Sequence, residues 1–452
     1  MASTLNKRLF FWLIAAYVRK WGKIILLSFV VGLIVFFLLI TLFPVLIRLF
    51  PGRRPIIGIA GIYTLDNIPA RITNKLSEGL TKVNPDGTVS PDVAKSWKVS
   101  TDGKTYEFTL DPSKTFADGS FVTSDTISYN FTGVKINRSN PHVISFTLKD
   151  RYTPFLVTTS RPIIKKNTIG IGQYRIDGIK ISGGFIQSLR LTPVKNPLQY
   201  ETYQFYPTEE ALKTAFLLGE VNQVYGLNDI AISHYSLKNF PNLQIEKHTS
   251  TTQLVTLFFN MQDSVLSDKS LRNALSYGLP DTFPQGVRSY LPYPRSSIYF
   301  NTDLPDKKRD LEHAKLLLTT VTNNGKNPPP HLILSYASKY KDTALAIEKA
   351  WKDIGISVSL DETEQIPQTY QMYLSDFSIP KDPDQYALWH SQQPNNITHY
   401  DSERIDKFLE DGRKEPDQTK RQKFYDDFQK YLQDDSPAAF LYFPSTYSIV
   451  RK

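Results

Sequence analysis

The stretch richest in groups able to hold a polar solute is Asp376-Phe-Ser-Ile-Pro-Lys-Asp382-Pro-Asp384-Gln-Tyr386, with Trp389 and His390 just behind it. Pro380 and Pro383 forbid a regular helix there, so the acids and rings project from a stiff loop. Carboxylates on such a loop can pair with a cation while the rings supply apolar walls, which is the chemistry of binding. An ordinary surface loop has the same composition, so the loop alone does not decide between the two. The acid pairs Asp426-Asp427 and Asp434-Asp435 read as solvated helix surface or helix ends.

Catalytic and metal chemistry find no comparable cluster. His142, His234, His248, His313, His331, His390 and His399 are scattered, and no two lie four residues apart on a shared helical face. There is no HExxH, no GxSxG, no GxxxxGK phosphate loop, and no GxGxxG after a strand. Gly58-Ile-Ala-Gly61 and Gly170-Ile-Gly172 are too short to cradle a phosphate and read as tight turns. The absence of cysteine excludes a disulfide framework, a Cys-ligated zinc or iron–sulfur site, a thiol nucleophile and a lipid-modified N-terminal Cys. No enzymatic activity, cofactor or metal is expected.

The chain has 452 residues, with 53 Lys and Arg against 44 Asp and Glu and a formal charge of +9. That excess sits at the front, where Lys7, Arg8, Arg19, Lys20, Lys23 and Arg48 face no acid. The remainder is close to balanced and has no basic stripe interleaved with aromatics, so a nucleic-acid partner is not expected. Residues 24–47 form an uncharged run of 24 residues. At about 1.5 Å per residue such a helix reaches about 36 Å, beyond a hydrocarbon core of about 30 Å. The run predicts a transmembrane anchor over 24–47. Basic residues crowd its N-terminal side, with Arg48, Arg53 and Arg54 following, so residues 1–23 are placed in the cytoplasm and the rest outside a cell membrane. A cleaved signal peptide has a shorter apolar region and a small-residue cleavage site, whereas LIRLFPGRRP follows here. Residues 9–18 are too short to span and are expected to lie along the inner interface with Trp12 and Trp21.

What remains, roughly 400 residues, exceeds what one core normally serves, so two or three lobes are expected. Asp86-Gly87, Asp102-Gly103 and Asp118-Gly119 read as turns, the middle one closing a hairpin between Trp97-Lys-Val99 and Tyr106-Glu-Phe108. Helical faces appear at Leu271, Ala274, Leu275 and Gly278, at Ile347, Ala350, Trp351 and Ile354, and at Phe424, Phe428, Tyr431 and Leu432. Apolar strands at 254–259, 332–336, 356–360 and 439–443 alternate with them, and 323–330 is a loop. The alternation predicts mixed α/β lobes.

Specificity comes from resemblance. Glu78-Gly-Leu80, Asp86-Gly87, Pro91-Asp-Val-Ala94, Ser96-Trp97, Ser100-Thr-Asp-Gly103-Lys-Thr-Tyr106, Phe108-Thr-Leu110, Thr115-Phe-Ala-Asp-Gly119-Ser and Val122-Thr-Ser-Asp125 closely resemble the signature block of the family 5 extracellular solute-binding proteins. These are the oligopeptide- and dipeptide-binding proteins of ABC importers. Gly170-Ile-Gly172-Gln-Tyr174, Leu218-Gly-Glu220-Val-Asn222, Phe259-Asn260 with Ser267-Asp268-Lys-Ser-Leu-Arg272, and Pro437 to Tyr442 continue the likeness in order, from about residue 57 to 443.

The resemblance implies a two-lobed, periplasmic-binding-protein-like α/β fold of class II, with crossovers near 254–260 and 436–443. It places a first lobe at 55–253, a second at 254–436 and a return segment at 437–452. It also implies a peptide or other small solute as ligand, and an ABC permease with ATPase subunits as partners. Most motif positions are structural on this reading: Trp97 is core, and Asp268 and Arg272 order a helix start. The ligand contacts it suggests are Tyr63, Thr64, Asn260, Asp376, Asp382 and Trp389. Peptide-binding members often place an aspartate three residues before the acid-proline pair, where it meets the peptide's ammonium group; here that position is Ile379. Asp376 or Asp382 takes the role, the loop is shifted, or the ligand is not a free-amine peptide. The segment between Phe131 and Ile144 is also short for the family, which suggests a reduced subdomain. A receptor for an oligosaccharide or nickel chelate is the alternative on this fold. A surface sensing or adhesion module and an exported hydrolase are the others.

Overall fold

The computed structural model describes residues 2–49, 54–165, 168–232 and 235–452. Its organising element is Ala438–Arg451, whose aromatic and β-branched side chains favour an extended chain and form one strand of 14 residues, mostly buried. Among the described residues the largest sheet has twelve strands: β1 (Ile56–Ala60), β2 (Tyr174–Ser182), β3 (Phe185–Pro193), β4 (Glu201–Tyr206), β5 (Gln223–Leu227), β6 (Leu243–Thr249), β7 (Gln253–Phe259), β8 (Gly286–Arg288), β9 (His331–Tyr336), β10 (Ser357–Glu362), β11 (Met372–Ser378) and β12 (Ala438–Arg451). They pair in the order β10-β9-β11-β7-β12-β5-β1-β4-β3-β2, with β6 and β8 also on β12.

The two ends of β12 belong to different lobes. Residues 438–444 pair with β7 and β8, and residues 445–451 pair with β5 and β6. Strands β6 and β7 are consecutive and antiparallel to β12 along its length, from Leu243 opposite Arg451 to Phe258 opposite Ala438. The crossing is tied by Ser250 N–H to Pro444 O and by Ser445 N–H to Gln285 O, both 2.8 Å. The crossing lies at 250–252 and 444–445, just outside the stretches 254–260 and 436–443 that the sequence suggested.

Each lobe is α/β. In the first, β1 runs parallel to β4 and β5, and helix Glu209–Leu218 buries Leu212, Ala215 and Phe216. In the second, β9 runs parallel to β10 and β11, and helix Lys341–Lys352 buries Ile347 and Trp351. Strand β7 is buried at six consecutive positions, which is why its sequence is an unbroken apolar run. Helix Lys269–Tyr277 starts on Asp268, whose carboxylate accepts Ser270 N–H at 2.7 Å and Leu271 N–H at 3.2 Å. Arg272 is buried and donates to Leu266 O and Asp435 O, each at 2.7 Å, so it satisfies the carbonyl end of helix Gln418–Asp435 just before β12.

A separate antiparallel sheet, Ala94–Val99, Thr105–Leu110, Val143–Thr147 and Lys135–Asn140 in spatial order, carries its own core around Phe108, Phe146 and Phe155. The Asp102-Gly103 hairpin is its first turn, with Val99 opposite Tyr106. Gly87, Gly103 and Gly119 all have positive φ, and the preceding aspartates accept the N–H two residues on, at 2.9, 3.0 and 3.1 Å.

Several expectations need correction. Gly58 lies inside β1, not in a turn; a Cβ there would stand 2.2 Å from Leu212 Cδ1, so the glycine lets the helix sit on the strand. Gly170 and Gly172 have no positive φ and serve the same purpose against the end of helix Ala70–Leu76. Trp97 is half-buried at the margin of its module rather than within it. The buried stripe of helix Gln418–Asp435 is Arg421, Tyr425, Phe428, Gln429 and Leu432, so Phe428 and Leu432 lie on the expected face while Phe424 and Tyr431 are only partly buried.

The N-terminal segment is helical over Ala2–Leu49. It is not the straight span expected over 24–47: arms Phe10–Ile24 and Leu26–Leu38 meet at 55°. Among the described residues no single helix is long and apolar enough to cross a membrane, and only this bent pair has the length and composition for it. The bend falls between Ile24 and Leu26, inside the span expected over 24–47. Arg53 lies outside the described residues.

Substituting Gly58→Ala forces Leu212 to shift in a filled core, and a loss of about 1–3 kcal/mol is expected. Urea unfolding should show a lower midpoint with an unchanged slope.

Candidate functional site

Beside the crossing, the lobes leave a cavity of about 390 Å³. The first lobe supplies the turn Lys82–Gly87 between strands Thr81–Val83 and Val89–Pro91. The second supplies Tyr293–Ser297 and the Pro-braced loop at Ile379–Pro383, while Thr251 and Thr252 of the crossing form the base. The lobes touch at its rim, where Ile298 N–H donates to Asp86 O at 3.0 Å.

A second crevice, about 1050 Å³, opens between the four-stranded module and the second lobe. Thr153 N–H donates to Arg413 O at 2.9 Å across it. The Arg413 guanidinium bonds Asp384 at 3.0 Å and lies 5.0 Å from the Tyr152 ring and 4.1 Å from the Tyr386 ring. Burial pushes the Asp384 carboxyl up, and Arg413 pulls against that shift.

The structure distributes the six expected contact residues differently, and none lines the 390 Å³ cavity. Asp382 is only 6% exposed and takes a bidentate bond from Arg421, at 2.6 and 2.9 Å, while Arg421 Nε donates to Gly412 O at 2.8 Å. Burial alone would lower the Arg421 pKa, but the Asp382 carboxylate outweighs it and holds the guanidinium above its ordinary value. As placed, Asp382 braces the wall from behind. Trp389 is likewise interior, donating Nε1–H to Gln385 Oε1 at 2.8 Å among Phe258, Phe377 and Phe440.

Asp376 lies on β11 and pairs with Lys339 at 2.7 Å. Burial raises its pKa, but bonds from Lys339 and Tyr340 bring the net below the usual carboxylate value. Asn260 ends β7, donating to Tyr370 O at 2.8 Å and meeting Gln262 N–H at 3.0 Å and His399 Nδ1 at 3.1 Å. Tyr63 donates to Ala60 O at 3.1 Å with its ring 5.2 Å from Phe205, and burial raises its pKa. Thr64 bonds Asn67 Oδ1 through N–H at 2.5 Å and Oγ1 at 3.1 Å.

The groups that do line the cavity carried weaker signals. Tyr293 sits between Pro292 and Pro294, and Lys381 follows Pro380, so proline-braced surface was the readable clue. A second useful element is main chain. Pairing of β9 with β11 ends at Tyr336 and Leu374, so Ser375–Ser378 pairs only with β7. Ile379 N–H donates to Thr252 O at 2.7 Å, so strand alternation turns the N–H and C=O of Asp376 and Ser378 toward the edge that β9 leaves open.

Residues 88–399 match the model of the bacterial extracellular solute-binding proteins, family 5 middle region. The chain belongs to that family. It is 22% identical to a probable D,D-dipeptide-binding periplasmic protein of Escherichia coli, over 89% of this chain and 91% of that one. It is 24% identical to the nickel-binding periplasmic protein of the same organism, over 82% and 83%. Among solved structures, an ABC transporter substrate-binding protein of Listeria monocytogenes superposes with a TM-score of 0.73 at 21% identity, covering 88% of this chain and 94% of that one. The fold of this family 5 chain is accordingly the two-lobed α/β type.

Asp382→Asn in this family member leaves Arg421 buried without its counter-charge, so a loss of about 3–5 kcal/mol is expected, largely recovered by also changing Arg421→Met. Denaturant titration reads this, and a loss below about 1 kcal/mol would contradict a bracing role. Arg413→Ala should loosen the interlobe contact and raise the radius of gyration in small-angle scattering; an unchanged radius would show that the guanidinium is no latch.

Proposed function

We propose that this protein is the membrane-tethered binding component of an ABC importer, which closes on a peptide between its lobes and presents it to a permease with ATPase subunits. The observation that carries the reading is the crossing: two paired strand segments join two α/β bodies beside a cavity, which is the construction of a hinge. A solute touching both lobes favours the closed form by the difference in its contacts. Binding without chemical change is the activity this geometry supports.

The lobe limits proposed are 55–253 and 254–436, with 437–452 returning to the first lobe; β12 supports the return through 445–451, which pairs with first-lobe strands, while 438–444 still pairs with the second. A peptide is favoured by the open edge at Ser375–Ser378, where an extended chain can bond to Asp376 and Ser378 main chain. The dipeptide-binding relative agrees with that class. Asp376 is the best placed of the six expected contact residues. Tyr63, Thr64 and Asn260 remain proposed contacts.

The anchor is proposed over 24–47, with 9–18 along the inner surface. Its support is the exposure of large apolar side chains among the described residues of that helix, such as Trp12 at 69% and Leu26 at 66%. Tethering keeps the binder near its permease.

A thermal-shift screen of the full chain in detergent tests the peptide reading. A bound peptide at about 100 times its Kd should add about 2.7 kcal/mol, and a chain that responds only to other solutes is not a peptide receptor. The native chain has no cysteine, so Lys7→Cys and Lys452→Cys give single labelling sites. In intact spheroplasts an impermeant maleimide should label the second and reach the first only after lysis; the reverse pattern would refute the orientation.

A further inference from the structure

The charge of the cavity beside the crossing, read with the fate of the carboxylates around it, points to a class of ligand. This inference rests on the peptide reading above and narrows it. A peptide with a free amine brings an ammonium group that needs a carboxylate when water is excluded. On the second lobe the carboxylates nearest in sequence to the cavity loop are each paired with a cation. Asp382 is held by Arg421 at 2.6 Å, Asp384 by Arg413 at 3.0 Å, and Asp376 by Lys339 at 2.7 Å. On the first lobe's turn, Asp86 is the cavity's own carboxylate, and its Oδ1 accepts both Thr88 N–H at 2.9 Å and Thr88 Oγ1–H at 2.7 Å.

The cations are placed in the opposite way. Lys82 on the first lobe and Lys381 on the second both line the cavity and are exposed, and neither enters an ion pair among the described residues. They stand on opposing walls at the point where the lobes come together, with Lys381 O 3.8 Å from where a Cβ on Gly87 would lie. An anionic group between them meets a charge from each lobe, so its binding rewards closure. Ile379, Pro380 and Tyr293 add apolar surface on the second lobe's wall that suits a capped or neutral end. We infer that the cleft selects peptide-like solutes that carry a carboxylate and have no free ammonium group, with Lys82 and Lys381 as the carboxylate's partners.

Calorimetric titration of the full chain in detergent tests this with trialanine, N-acetyl-trialanine and N-acetyl-trialanine amide. The acetylated acid is expected to bind more tightly than the free-amine peptide, and amidation to weaken it about tenfold. In the exposed-site variant K82Q/K381Q the acid should fall to the level of the amide, with an unchanged melting temperature in the absence of peptide. A tenfold preference for free-amine trialanine, abolished by Asp86→Asn, would overturn the inference and leave the peptide reading standing. Equal binding of acid and amide by the wild type would overturn it too. If none of the three binds, although another solute shifts the melting temperature, the peptide reading fails and this inference with it.

Discussion

Two lobes share one sheet because β12 is long enough to serve as an interior strand in both. Every backbone group inside a sheet needs a partner, and an unpaired one away from water costs as much as a lost hydrogen bond. Strands β5, β6, β7 and β8 all find that partner on β12, so the lobes are joined by the same bonds that complete them. At the crossing the ladder thins. Pro444 has no N–H to donate, and the neighbouring segment leaves strand geometry between β6 and β7. Flexing there disturbs few bonds, while the ladders on either side stay intact. Rigidity within each body and compliance between them follow from one strand pair.

The second lobe's wall is stiff for a different reason. Pro380 and Pro383 limit the backbone, Asp382 fastens it to helix Gln418–Asp435 through Arg421, and Tyr293 donates to Pro383 O at 2.5 Å. Three kinds of restraint thus act on a few residues before any solute arrives. A wall held this way loses little conformational freedom on binding. Its charges are spent on holding its shape, and the groups left to face the cavity are hydroxyls, rings and a lysine.

Much of this fold was legible where local chemistry has one outcome. An apolar run such as that of β7 needs burial on both faces, and Asp-Gly pairs need a left-handed residue after a side chain that can bond back. Helix faces at Leu271 and Ile347 were readable from their 3.6-residue period. The extent of β12 was not: its second half, Ser445–Arg451, mixes polar and apolar residues and becomes a strand only because β5 and β6 flank it. The site was less legible still. An aspartate between lysine and proline reads the same whether it faces solute or an arginine 39 residues further along, and Asp382 does the latter. Trp389 behind an acidic loop likewise suggested a binding platform, whereas its indole fills a core assembled from several distant segments.

Strand β12 follows every other strand in the chain. During synthesis, therefore, neither body can finish its sheet until residues 438–451 have been made. Through that interval β5 and β7 lie exposed and ready to recruit a neighbouring nascent chain. A stop codon ahead of residue 438 would therefore leave both halves without the strand they share, whereas one after residue 444 would deprive the first lobe alone.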